Sequence, residues 1–261
     1  MKIYNNTFEV NFIAITNSKE RVLIISNQIK EWINDINIGL KIVDEKNNFD
    51  SSNNPAIYLF FKHEEYKHLI SFTIRTRENS PYEIYITYGI VASSDYNITG
   101  TPNGYYYIGV NKISDYSFTI ISDENAIILC SSLKPDFNNS VMFLKSYDIN
   151  KKEYIFFKQN NGYKYVYMDE ILEENLRFSF FLTDLPYQYV QWNGHCFLFP
   201  CFLYNNQDSS WIQNQMIYKV YNKIKYATGK SFSVGKTYKI GNKKYYCLGN
   251  TNYTNIMVLL D

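Results

Sequence analysis

The chain reads as an α+β protein, predominantly antiparallel β, with two amphipathic helices and a C-terminal β-hairpin. Three observations predict this class. Aromatics make up 18% of the 261 residues, with 26 Tyr and 18 Phe, and such side chains suit pleated, half-buried surfaces. Short apolar or alternating runs recur along most of the chain between clusters of Asn, Asp, Ser and Gly, the pattern of strands joined by turns. Two stretches instead place apolar residues three and four apart, the helical period. This aromatic load is not that of a disordered chain, and the length is enough to bury a sizeable core.

Taken in order, residues 8–15 alternate like a strand. The first helix is expected over 18–38, with Asn17 as its cap, Glu20 completing a capping box and Gly39 closing it. Val22, Ile25, Ile29, Trp32 and Ile36 make its apolar stripe, and Lys19, Glu20, Asn27, Lys30, Glu31 and Asn34 its wet face. The polar stretch 44–54 reads as a loop. Strands are expected at 57–62, 71–77, 82–88 and 105–110. Residues 118–121 and 126–130 flank a hairpin loop, Ser122-Asp123-Glu124-Asn125. Strands at 141–145, 154–158 and 163–168 continue the meander, with a turn at Asn160-Asn161-Gly162.

Residues 168–176 leave room for a turn or two of acidic helix, and 178–182, 187–192 and 197–203 read as apolar strands. Ser209 or Ser210 caps a second helix ending near Gly229, apolar at Ile217, Val220, Tyr221 and Ile224 and basic at Lys219, Lys223 and Lys225. The chain closes with strands at 237–240, 243–248 and 256–260. Gly241-Asn242 between the first two favours a type II′ hairpin. Two domains are expected: 1–208, β-rich with the early helix, and 209–261, a basic helix plus hairpin packed on the first part.

Charge is segregated along the chain. Residues 209–261 hold eight lysines and one acid, a net +7, while the first 208 residues hold 18 basic and 24 acidic side chains, a net −6. Such a split speaks to contacts rather than to fold. The basic end is built to meet an anionic surface. Its lysines interleave with Tyr218, Tyr221, Tyr226, Tyr238, Tyr245 and Tyr246, an arrangement that could track single-stranded nucleic acid. With only four arginines in the chain, base readout is poorly supplied. An acidic protein surface, or the acidic part of an identical subunit, is the expected partner. Such head-to-tail contacts build rings or filaments.

No apolar run approaches a membrane span, and no signal peptide precedes the first strand. Neither a membrane nor nucleic acid is expected as a partner. Cys130, Cys196, Cys201 and Cys247 are too scattered for a disulfide framework and read as reduced, buried thiols.

Each catalytic look-alike fails on spacing or context. Gly235-Lys236-Thr237 ends like a phosphate-binding loop, but position 230 is Lys and a strand follows where that motif needs a helix. His63 and His68 stand five apart, not the four that zinc ligation from one helix face requires. His195 directly precedes Cys196, so in a strand their side chains point to opposite faces, and with Cys201 they lack a fourth zinc ligand. The acid pairs Asp169-Glu170 and Glu173-Glu174 read as a solvated face. No catalytic residue, cofactor or metal is expected, and the chain is expected not to be an enzyme. Trp192 and Trp211 are candidates for sugar stacking.

Residues 232–261 resemble the C-terminal end of a loosely defined group of bacteriophage virion proteins. There a Gly-x-x-Tyr-x-Ile-Gly-Gly-x-x-Tyr hairpin, a short loop and a final apolar strand close the chain. The matching residues are Gly235, Tyr238, Ile240, Gly241 and Tyr245, followed by the loop 250–255 and the strand 256–260; the second turn glycine is Asn242 here. The order of the earlier elements is similar too. The resemblance implies a non-enzymatic structural component of a virion, in the tail or baseplate region or on the head, with tail or baseplate as the expectation, made in the host cytoplasm and acting through contacts with itself and other virion proteins. The alternative expectation is a carbohydrate- or receptor-binding module, with a host surface glycan as ligand. Lys236, Lys239, Lys243, Lys244, Tyr238 and Tyr245 are the candidate partner contacts.

Overall fold

The structure is a computed structural model and describes residues 1–8, 17–50, 55–63, 69–77, 80–91, 108–110, 116–131, 141–147, 153–158, 164–167, 174–179, 197–205, 217–228, 232–248 and 255–260. Among these residues it is mostly antiparallel sheet with one helix. The chain divides into two compact units, Tyr4–Phe118 and Met1–Ile3 with Thr119–Asp261. Strand β1 (Lys2–Phe8) opens the chain; the expected strand at 8–15 otherwise lies outside the described residues.

In the unit Tyr4–Phe118, helix α1 (Ser18–Ile36) begins where the Asn17 side chain accepts the Lys19 N–H at 2.9 Å. It stops at Asn37, in the left-handed conformation with φ 45°, two residues before the expected Gly39. Asparagine tolerates that conformation better than most residues. The apolar stripe is as expected, with Val22, Ile25, Ile29, Trp32 and Ile33 buried and Ile36 half-buried. Arg21 and Ser26 are buried beside it.

The helix lies on a meander of β2 (Leu40–Asn48), β3 (Ala56–His63), β4 (Leu69–Arg77), β5 (Ser80–Val91) and β6 (Ile108–Val110), all antiparallel neighbours. Opposed residues share a face, so Ile57, Leu59 and Phe61 continue into Ile74, Phe72 and Ile70, and then into Ile86 and Tyr88. Glu45, opposite Leu59, pairs with Lys30 of α1 at 2.9 Å, which marks this face as the one the helix covers. Phe61, Tyr88 and Phe118 stand round Phe72, the rings of Phe61 and Phe118 edge-on to it at 5.8 and 5.9 Å. On the opposite face Phe60 and Leu69 are buried with Tyr58.

Strand β2 corrects the loop expected at 44–54: Asp44 to Asn48 pair with Phe60 to Ala56. Its side chains are mostly exposed at the sheet edge, where polar residues cost little and the ladder bonds decide. Val43 is an extra residue in the ladder, between Ile42 and Asp44. Residues 64–68 lie outside the described residues, between the antiparallel partners β3 and β4.

The second unit is built from two sheets. The first has the order β1-β7-β8-β9-β10-β11-β12-β14-β15, with β7 (Tyr116–Asp123), β8 (Ala126–Ser131), β9 (Val141–Tyr147), β10 (Glu153–Lys158), β11 (Lys164–Tyr167), β12 (Glu174–Ser179), β14 (Phe202–Asn205) and β15 (Ile217–Val220). The second has the order β13-β16-β19-β18-β17, with β13 (Phe197–Pro200), β16 (Ile224–Thr228), β17 (Thr237–Ile240), β18 (Lys243–Cys247) and β19 (Asn255–Leu259). The loop of the first hairpin shortens from the expected four residues to Glu124-Asn125.

Strand β15 also pairs with β9, so β9, β10, β11, β12, β14 and β15 close into a ring. The edge of β9 is shared: its residues 141–144 pair with β8, and 146 and 147 with β15. The two sheets enclose a core in which Ile121, Ala126, Ile128, Cys130 and Met142 of the first meet Ile224, Tyr246, Leu248, Ile256, Val258 and Leu260 of the second. A smaller cluster, Ala227, Phe232, Tyr245, Cys247 and Met257, covers the outer face of the second sheet.

The second helix is replaced over 217–228 by β15 and β16; residues 206–216 lie outside the described residues. Short Ile/Val/Tyr runs satisfy either period. Here the backbone finds ladder partners on both sides: Lys219 is opposite Phe202 and Tyr147, and Tyr226 is opposite Phe199 and Ile256. Strand β12 likewise replaces helix at 174–176, and the expected strand 197–203 breaks at Cys201 into β13 and β14, which belong to different sheets. The expected strand 187–192 lies outside the described residues.

Two glycines with positive φ make a paired test. At Gly39 (φ +79°) a Cβ would stand 2.5 Å from His63 Nε2, whereas at Gly241 (φ +59°) it would meet nothing within 4 Å. Gly241→Ala is expected to cost about 1 kcal/mol from backbone strain alone. Gly39→Ala is expected to cost more, roughly 2–3 kcal/mol, because the ring must move as well. Urea titrations followed by far-UV circular dichroism check the order.

Candidate functional site

The hairpin of β17 and β18 carries the six residues singled out from the sequence. Its two-residue turn is fixed by the pairing Ile240↔Lys243. The positive φ falls on Gly241 and not on Asn242, as the II′ form requires. Strand β17 is the edge of the five-stranded sheet. Pairing sets the two faces. Tyr238 and Ile240 lie opposite Tyr245 and Lys243, and Lys239 lies opposite Lys244.

Lys236, Lys239, Lys243 and Lys244 are all exposed, and among the described residues none of them forms an ion pair. Like charges directly opposite in a ladder destabilise it. Lysines on an edge strand do discourage edge-to-edge pairing, and that would account for Lys239 on β17 and for Lys236 just before it. It does not account for Lys243 and Lys244, which sit on a strand paired on both sides.

The two tyrosines behave differently from the lysines. Tyr245 is 5% exposed and belongs to the outer cluster with Cys247. Tyr238 is half-buried in the same cluster, edge-on to Phe232 at 4.8 Å, and its hydroxyl accepts the Ser233 N–H at 2.7 Å. Tyr246 faces the opposite core, and burial pushes its hydroxyl pKa up. All three rings are committed to packing. The hairpin therefore offers exposed ammonium groups without an aromatic platform.

A second cluster was not legible in the sequence. Asp123 ends β7, and its carboxylate accepts the Tyr221 hydroxyl and the Lys223 ammonium, each at 3.0 Å. The same carboxylate accepts the Asn125 N–H at 3.0 Å. The hydrogen bond to Asp123 raises the Lys223 pKa above the lysine value of 10.5, and burial raises that of Tyr221. Lys145 completes the junction: its N–H reaches the Asn125 carbonyl at 2.9 Å and its carbonyl accepts the Tyr221 N–H at 3.1 Å. The partners of Asp123 lie 98 and 100 residues away, and no local pattern announces them. The cluster is a structural fastening.

The remaining candidates are placed as follows. Cys130, Cys201 and Cys247 are buried thiols outside any disulfide, and burial pushes the Cys201 thiol well up. Gly235-Lys236-Thr237 leads into strand β17, not a helix. His68, Asp169, Glu170, Glu173, Trp192, His195, Cys196 and Trp211 lie outside the described residues. Among the described residues no three His, Cys, Asp or Glu side chains converge, and no helix is long and apolar enough to cross a membrane. No protein-family model, curated protein or solved structure matches this chain.

Two measurements follow from these clusters. Asp123→Asn leaves Lys223 and Tyr221 with a weaker acceptor and is expected to lower stability by about 1–2 kcal/mol at neutral pH. A raised lysine pKa contributes stability that is complete below the unfolded value and is lost as pH rises through the folded value. The share of the difference between Asp123→Asn and the parent chain that comes from Lys223 should therefore hold through neutral pH and shrink above about 10.4. Lys239→Glu, by placing an acid opposite Lys244, is expected to raise the stability of the isolated chain by roughly a few tenths of a kcal/mol. Denaturant titration of each variant reads both.

Proposed function

We propose that this protein is a non-enzymatic structural component of a bacteriophage virion, of the tail or baseplate, and that it works through subunit contacts made by its C-terminal hairpin. The observation that carries this reading is the unneutralised basic tip on a well-braced hairpin. Lys236, Lys239, Lys243 and Lys244 are exposed, while Tyr238, Tyr245 and Tyr246 beneath them anchor the strands in two apolar clusters. A charged tip on a rigid support suits repeated docking on an acidic protein surface. The resemblance of residues 232–261 to the closing hairpin of phage virion proteins supports the same reading, and the +7 against −6 charge split gives it a physical basis.

The buried tyrosines argue against single-stranded nucleic acid, which would need them free to stack. Lysine's compact ammonium favours long-range, salt-sensitive attraction over bidentate base recognition.

The test is made on particles from the native source. Negative-stain microscopy with quantitative mass spectrometry is expected to find the chain at a fixed copy number per particle. Reversing Lys236, Lys239, Lys243 and Lys244 to Glu is expected to lower incorporation about tenfold or more while leaving the far-UV spectrum unchanged, since exposed charges contribute little to folding. Absence of the chain from every particle fraction would sink the proposal.

A further inference from the structure

The hairpin tip has a complement on the same chain. On α1, Glu20, Asn27, Glu31 and Asp35 are exposed, and their spacings of seven, four and four place them within roughly a quarter turn of the helix surface. Among the described residues none of Glu20, Glu31 and Asp35 forms an ion pair. The nearby helix lysines are turned aside. Lys30 is held by Glu45 at 2.9 Å, and the Lys19 ammonium lies 5.9 Å from the centre of the Phe49 ring. The stripe is left acidic.

The spacings match as well. Glu31 and Asp35 are one helical turn apart, with Cβ atoms about 5–6 Å from each other. Lys239 and Lys244 are a directly opposed ladder pair, with Cβ atoms about 4.5–5.5 Å apart. Two ammonium groups and two carboxylates can therefore meet pair on pair.

We propose that the Lys239–Lys244 pair of one copy docks on the Glu31–Asp35 stripe of a second copy of this chain. The inference rests on the subunit-contact reading of the hairpin and names its partner. The contact joins two different surfaces, so it either closes reciprocally into a two-fold dimer or runs head to tail into a ring or a filament. Each exposed pair is weak alone. The association is therefore reversible, weakened by salt within a Debye length of about 8 Å near physiological ionic strength, and strengthened when many copies are held in register.

Sedimentation velocity of the purified full chain, over a range of concentrations at low and high salt, tests it. The expected result is concentration-dependent association at low salt that is lost at high salt. Lys239→Glu with Lys244→Glu should weaken it about tenfold or more, and so should Glu31→Lys with Asp35→Lys, by placing like charges together. The fourfold exchange that combines both pairs restores opposite charges and should bring association back to within about threefold of the parent. Circular dichroism on each variant keeps loss of fold apart from loss of contact.

A chain that stays monomeric at low salt, or an exchange that fails to restore association, overturns the inference. Titration with a single-stranded oligonucleotide is the control. Binding that is lost with the lysine pair and kept with the acid pair overturns it in favour of a phosphate ligand. If the chain is found in particles at fixed copy number yet stays monomeric in solution, this inference falls and the virion reading stands. If the exchange rule holds but no particle contains the chain, the reverse is true.

Discussion

Lys145 stands where one sheet edge passes from β8 to β15. Its N–H serves the turn at Asn125 and its carbonyl takes the N–H of Tyr221, while the side chains of Tyr221 and Lys223 close on Asp123. Much of the larger unit depends on this point. On one side of it β14 and β15 pair in the first sheet; on the other β13 and β16 pair in the second. A single antiparallel ladder thus bends across both sheets, with buried Cys201 at the inside of the bend. The Lys223 carbonyl then accepts the Leu259 N–H at 2.8 Å, so the corner also fixes the last strand and, through it, the strands that carry the basic tip.

What could be read in the sequence was whatever repeats over a short distance. Helix α1 was legible because its cap, stripe and wet face all lie within twenty residues and agree with one another. The hairpin was legible because Gly241-Asn242 imposes its own geometry. Residues 217–228 were misread because an apolar residue every third or fourth place satisfies a helix, and equally a strand that turns a corner and resumes in another sheet. Only the pairing of Lys219 with Phe202 and of Tyr226 with Phe199 decides between them. Residues 44–48 were misread for the opposite reason: a polar run suits a loop, but at a sheet edge it can still satisfy every ladder bond to β3. The junction at Asp123 left no trace, because its partners are about a hundred residues distant.

The hairpin joins two requirements that usually conflict. Contact surfaces need exposed charge, and exposed like charges loosen a small hairpin. Here the apolar clusters on both faces of the five-stranded sheet hold Tyr245, Tyr246 and Cys247 firmly, so the strands do not rely on the residues at their tip. The aromatic residues near the tip serve rigidity and the lysines serve recognition. That division is why interleaved tyrosine and lysine, which look like a nucleic-acid groove in sequence, become something else in three dimensions.

The closed ring of β9 to β15 has a kinetic consequence. Antiparallel neighbours from β9 to β11 can zip up locally as the chain is made, but the pair that seals the ring joins Tyr147 to Lys219, seventy-two positions further along the chain. Closing so long a loop carries an entropic cost that no local contact repays, and such steps come late and slowly. Until β15 arrives, the stretch of β9 beyond β8 keeps an open edge of the kind that captures strands from other chains. Strands β16 to β19, which follow β15 in the sequence, are therefore added to β13 on a support that has only just been completed.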